Sequence, residues 1–166
     1  FKLLTLNNFN NIMEIFKLKK IILNFGIKNI AINSKKIIPA FLALYLISGK
    51  KASLRYSKKP IIILKIRQGM VVGCKTTLRN KDLNLFILLL LENIFSNVKD
   101  IRGLSLNSTD LGSVTFSIDD LFIFKKIDFF FELFNDLPRL NVTLLTTSSE
   151  KSNTFNFCKM LGYPMK

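Results

Sequence analysis

Lys65–Arg79 reads KIRQGMVVGCKTTLR. Its second part, MVVGCKTTLR from Met70, is a β-rich run of strand length, and Gly69 just before it is a turn signal. The preceding run, RYSKKPIIILKIRQG from Arg55 to Gly69, reads as a second strand, so the two are expected to flank the Gly69 turn. Pro60 splits that second run and places an edge or a loop there, because proline cannot donate to a ladder.

Working outward, LKKIILNFGI (Leu18–Ile27) predicts a strand ended by the turn signal Asn24, Phe25, Gly26. Residues 6–16 predict a short amphipathic helix. Ser34 is the expected N-cap of a helix over KKIIPAFLALYLIS, whose apolar spacing runs through Ile38, Leu42, Tyr45 and Leu46, with Gly49 as its stop. Pro39 falls near the first turn, where proline is tolerated. Downstream, Leu83–Phe95 predicts a helix, and IRGLSLNSTDLGS an irregular connector. VTFSIDDLFIF reads as a strand or an irregular hairpin, Phe129–Phe134 as a short helix, LNVTLLTT as a strand and Lys151–Leu161 as a terminal helix. Helices and strands alternate without regular βαβ spacing, which gives an α+β class.

A chain of 166 residues fits a single domain spanning 1–166, and 49% hydrophobic content is ample for a core. The mean hydropathy of +0.31 raises the question of a membrane. However, no uninterrupted apolar stretch reaches the roughly 20 residues a spanning helix needs. The longest, Leu83–Phe95, is broken by Asn84, Glu92 and Asn93. FKLLTLNNFNN at the N-terminus has neither a small-residue cleavage site nor a transit-peptide composition, so an import signal is expected to be absent or already removed. Cys74 and Cys158 are isolated from each other and from any metal-binding spacing, and there is no histidine. That argues against a disulfide scaffold and a zinc site, and removes the commonest general base.

Charge is placed unevenly. Between Ile15 and Lys81 lie 16 basic residues and no acid, so residues 1–81 carry +16 and residues 82–166 carry −2. A solvated face normally mixes signs, since like charges repel. A folded segment stripped of carboxylates makes sense where a polyanion supplies the counter-charge, and phosphate is the obvious one. The chain thus divides into an N-terminal helical extension (1–16), a basic RNA-binding half (17–81) and a near-neutral half (82–166). Aromatics in the basic half are scattered and do not suggest base stacking.

KIRQGMVVGCKTTLR resembles the bacterial-type large-subunit ribosomal protein five family in its basic, glycine-punctuated order. ILNFGI (Ile22–Ile27), ISGKK (Ile47–Lys51), DIRGLS (Asp100–Ser105) and the C-terminal VTLLTTSSEKSNTFNFCKMLGYPMK are similar to family motifs in the same order, so the resemblance covers residues 17–166. It implies a curved, largely antiparallel sheet with helices packed on one face, and no enzymatic activity, cofactor or metal. It also implies residence in the central protuberance and binding to 5S rRNA or large-subunit rRNA. Further implied partners are P-site tRNA and neighbouring ribosomal proteins, including one of the small-subunit head, with no membrane insertion. By the same resemblance the RNA-binding residues are Asn24, Gly26, Lys50, Lys51, Arg55, Lys65, Arg67, Gln68, Lys75, Arg79 and Arg102. The tRNA-facing loop, about 58–72, would use Lys58, Lys59, Lys65 and Gln68.

Two departures stand out from the family pattern. Pro60, Ile61, Ile62, Ile63 and Leu64 replace a small, flexible Ser, Ala and Gly series. Asn107–Asp120 is slightly short and carries Asp119 and Asp120 where a basic residue is common. The A+T-type composition, the missing histidine and the high hydrophobicity lead to the expectation of an organelle-encoded copy, in a mitochondrion in preference to a plastid or a bacterial cytoplasm.

Other constellations carry less. Asp128, Glu132 and Asp136 fall at i, i+4, i+8, which on one helix would share a face, but a solvated face accounts for them better than a cation site. Asp119 and Asp120 are adjacent and point apart in regular structure, so they are assigned no chemistry. Both thiols sit in apolar patterns and are expected to be buried. A basic peripheral membrane-surface protein is the competing class. A phosphoryl-handling enzyme lacks both GxxxxGK[ST] and carboxylates where they are required.

Overall fold

The computed structural model describes residues 14–27, 34–94, 109–148 and 150–161. The expected helix over 6–16 falls almost entirely outside them, as does most of the connector after residue 100. The class is α+β, with an open antiparallel sheet and helices. Six strands, β1 (Leu18–Gly26), β2 (Ser53–Tyr56), β3 (Val71–Leu78), β4 (Thr109–Asp110), β5 (Ser113–Ile118) and β6 (Leu140–Thr146), hydrogen-bond in the order β2-β3-β1-β6-β5-β4. The helices are α1 (Ile37–Ser48), α2 (Lys81–Leu89), α3 (Lys125–Asp128), α4 (Phe131–Phe134) and α5 (Lys151–Met160). Two compact units emerge, one of residues 22–78 and 117–142, the other of residues 1–21, 79–116 and 143–166.

In the first unit, β1 and β3 each send alternate side chains inward. Phe25 and Leu23 from β1 and Cys74 and Leu78 from β3 are fully buried, as period-two alternation requires. The strand β1 runs straight through Asn24, Phe25 and Gly26, so the turn expected there is corrected. Phe25 stays in phase with Ile21 and Leu23, and burying it outweighs the local turn preference of Asn and Gly. β2 pairs antiparallel with β3, Ser53 opposite Lys75 and Arg55 opposite Gly73.

Helix α1 packs on β3 and against α3 and α4. A 3-10 turn, Ser34–Lys36, precedes it, so the α-helix begins at Ile37 and Ser34 is not its immediate cap. Gly49 ends it as expected, in the left-handed region (φ 66), with its N–H on the Tyr45 carbonyl at 2.8 Å. The expected apolar face is corrected. Ile38, Leu42 and Tyr45 are exposed, whereas Ala40, Ala43, Leu44 and Ile47 are buried. Small side chains face inward because they let the helix approach the strand closely. The short helix expected over Phe129–Phe134 is instead two one-turn helices interrupted at Phe129–Phe130, so Asp128, Glu132 and Asp136 do not share one helical face.

In the second unit, α2 begins two residues before the expected Leu83 and widens into a π-helical turn over Leu90–Ile94. β6 alternates cleanly, burying Val142, Leu144 and Thr146 on one side beyond Leu140. A chain of buried hydroxyls ties α5 to this strand. Thr146 Oγ1 donates to the Gly112 carbonyl (3.0 Å) and lies 2.8 Å from Ser148 Oγ, which lies 2.6 Å from Thr154 Oγ1. Each of these buried groups thereby has a partner, which removes the cost of desolvating it. Among the described residues no helix is long and apolar enough to cross a membrane.

Candidate nucleic-acid interface

The basic residues of the first unit gather on three local structures. The first is the C-terminal turn of α1. Ser48 Oγ donates to the Leu44 carbonyl (2.6 Å) and accepts from the Lys50 N–H (3.2 Å), so ISGKK folds as a tight cap that presents exposed Lys50 and Lys51. The second is the strand pair β2/β3. Ser53 Oγ donates to the Lys75 carbonyl (2.9 Å), and Arg55 lies opposite Gly73, which puts Arg55 and Lys75 diagonally on the face away from buried Cys74. Asn24, half-buried, occupies a β1 position out of phase with buried Leu23 and Phe25, and Gly26 ends that strand exposed.

The third is the link from β2 to β3. The Ser57 N–H donates to Met70 O (2.8 Å), and the Gly69 N–H to Ser57 O (3.0 Å), with Gly69 in the left-handed region (φ 81). Further out, Ile61 and Ile66 exchange two hydrogen bonds of 2.9 and 3.0 Å around a turn, Ile62–Lys65, that Lys65 closes at φ 52. The long strand expected over Arg55–Gly69 is therefore corrected to a short β2 followed by a looped hairpin, whose tip lies at Ile62–Lys65 and not at Gly69. Pro60 explains the interruption. Ile62 and Ile63 are 91% and 93% exposed at that tip, while Lys58, Lys59, Lys65, Arg67 and Gln68 are exposed around it. An open hollow of about 770 Å³ is lined by Pro60, Ile61, Ile62, Lys65, Ile66, Arg67 and Met70.

Arg79 lies in the other unit, exposed where Asn80 (φ 53) turns the chain from β3 into α2. Arg102 lies outside the described residues. The exposed hairpin apex was visible in the sequence only as a departure in composition, since nothing local announces where a long loop will turn.

The remaining chemistry is inert. Cys74 and Cys158 are both buried, and burial pushes the first thiol up to about 11 and the second up to about 12. At pH 8 the native thiols are expected to alkylate about 100-fold more slowly than in denaturant, because only the thiolate attacks. Equal rates in native and denatured protein, measured by mass shift, would refute this. Asp119 pairs with Arg139 (3.0 Å), and Asp120 Oδ1 accepts from the Phe122 N–H (3.0 Å). Among the described residues no group of three or more His, Cys, Asp or Glu is placed to hold a metal ion.

Comparison with known proteins finds a match to the C-terminal region of the ribosomal protein uL5 family over residues 71–165. Relatives extend the similarity over nearly the whole chain. The large ribosomal subunit protein uL5 of Mycoplasma capricolum subsp. capricolum is 31% identical over 160 residues, covering 96% of this chain and 88% of that protein. The uL5 of Mycoplasma pneumoniae is 34% identical, covering 95% and 87%, and that of Dichelobacter nodosus 35% identical, covering 94% and 87%.

Proposed function

The chain belongs to the ribosomal protein uL5 family, and from that premise we propose that it is a structural constituent of the large ribosomal subunit that binds ribosomal RNA through its basic half. The observation that carries the reading is the charge distribution: residues 15–81 hold 16 cations and no carboxylate, and Lys51, Arg55, Arg67 and Arg79 are exposed. Lys and Arg meet phosphates, while Asn24, Gln68 and the glycine turns allow backbone to approach RNA closely. No catalytic role is assigned.

In finer detail, the RNA is 5S rRNA or large-subunit rRNA of the central protuberance, bound by Asn24, Gly26, Lys50, Lys51, Arg55, Lys75, Arg79 and Arg102. The hairpin between β2 and β3 faces P-site tRNA, with Lys58, Lys59, Lys65, Arg67 and Gln68 taking phosphates beside an aliphatic tip. Neighbouring ribosomal proteins, one of them in the small-subunit head, complete the setting. The composition favours a mitochondrial ribosome, although the relatives named above are bacterial.

The expected result is co-sedimentation with large subunits at modest salt and release at high salt, as phosphate contacts are screened. Protein that stays free of ribosomes at low salt overturns the proposal. A second reading, a basic protein of anionic membrane surfaces, is favoured by the hairpin tip alone, whose aliphatic side chains over lysines would suit a bilayer interface. Retention on anionic liposomes without any preference for RNA would select it.

A further inference from the structure

In the unit formed by residues 22–78 and 117–142, the chain from Asp128 to Leu133 exposes six consecutive side chains. Phe129 is 85% exposed, Phe130 52%, Phe131 51% and Leu133 64%. This display is built into the fold. Ile127 and Phe134, at its two ends, are buried, and backbone hydrogen bonds hold the intervening turns: Phe130 N–H to Ile127 O and Leu133 N–H to Phe130 O, both 3.0 Å. The Phe131 ring leans on Phe122 with centroids 4.7 Å apart, so it is held in place before any partner arrives. A grouped, rigid set of aromatic rings in water is unusual on a surface with no partner.

Charge says what covers it. The flanking side chains are Asp128 and Glu132, both exposed, and no cation lies between Asp128 and Asp136. Lys36 neutralises Asp136 at 3.0 Å, which leaves the patch acidic where it carries the phenylalanines. Phosphate would be repelled here, in contrast to the basic half. We infer that Phe129–Leu133 is a docking surface for a partner protein, which lays an apolar segment flanked by Lys or Arg across the rings. Aromatic anchors ringed by charge are the usual composition of such a contact, and a held display limits the entropy lost on binding.

This surface is separate from the residues assigned to RNA, so the two readings can fail independently. The test uses the full chain and, as probes, a short amphipathic helical peptide of leucine and lysine and its leucine and glutamate counterpart, read by fluorescence anisotropy. The lysine peptide is expected to bind despite the protein's +14 net charge, and the glutamate peptide not to bind at the patch. Phe129→Ser with Phe130→Ser, and separately Asp128→Lys with Glu132→Lys, should each weaken the lysine peptide about tenfold while RNA binding is retained. A photo-crosslinking phenylalanine analogue at position 129, in the assembled particle, should couple to protein. Unchanged peptide binding by both variants, or crosslinks to RNA from that position, would overturn the inference.

Discussion

Gly73→Ala is expected to destabilise the protein by more than about 4 kcal/mol, a loss comparable with the whole stability of many domains. A Cβ at this position would run into the Phe25 carbonyl oxygen at a separation real Cβ contacts do not show, with the Phe25 carbonyl carbon and Gly26 Cα close behind. The obstacle is backbone. It cannot swing away as the end of a side chain would, so relief requires β1 and β3 to part. Those two strands bury Phe25, Leu23, Cys74 and Leu78, and their separation exposes the centre of the core. Gly26→Ala is the control, because nothing lies within 4 Å of a Cβ there and its backbone is not left-handed. That change should cost less than about 0.5 kcal/mol. Urea unfolding of both variants decides the matter, and similar midpoints for the two would sink the account of why Gly73 lacks a side chain.

The second large effect is on RNA binding. Lys51→Glu, Arg55→Glu and Arg79→Glu together should lower affinity for 5S or large-subunit rRNA by roughly 1,000-fold at low salt, about tenfold for each lost phosphate contact. The slope of log affinity against log salt should fall by about three. All three side chains are exposed, so folding should be nearly untouched. The matched control reverses Lys125, Lys126 and Lys151, giving the same change in net charge on residues outside the basic half. Filter binding across a salt series separates the two sets. If the control loses as much affinity as the first set, the interaction is a general attraction of a +14 protein to any polyanion, and the assigned face is wrong.

Much of this was legible in the chain. The strand β6 and the β3 run from Val71 to Leu78 announce themselves because alternate burial and β-branched composition act within a few residues. Gly49 ends α1 for an equally local reason, the freedom of glycine to turn left-handed. The candidate RNA residues on the ISGKK turn and on β2 and β3 were readable for the same reason, as cations set beside local turn and strand signals. Failures came where distant contacts decide. Asn24–Gly26 carries a turn signal, yet Phe25 is worth more to the core than the turn is to the backbone. Between Arg55 and Gly69 a strand-like run carries no mark of where the chain will reverse, and the apex fell on Ile62–Lys65.

From residues alone came the α+β class, the strand runs, the capped helix and the separation of a cationic half from a near-neutral one. Each of these depends on neighbours in sequence or on charge, which is additive. Only tertiary structure decided that α1 turns Ala40 and Ala43 inward and Ile38, Leu42 and Tyr45 outward. A helix apolar on nearly every side has no phase of its own, so the closest packing against β3 chooses one. Tertiary structure likewise placed Gly73 against the Phe25 carbonyl and left Phe129–Leu133 facing solvent. Both depend on which surfaces meet, a property no local pattern contains.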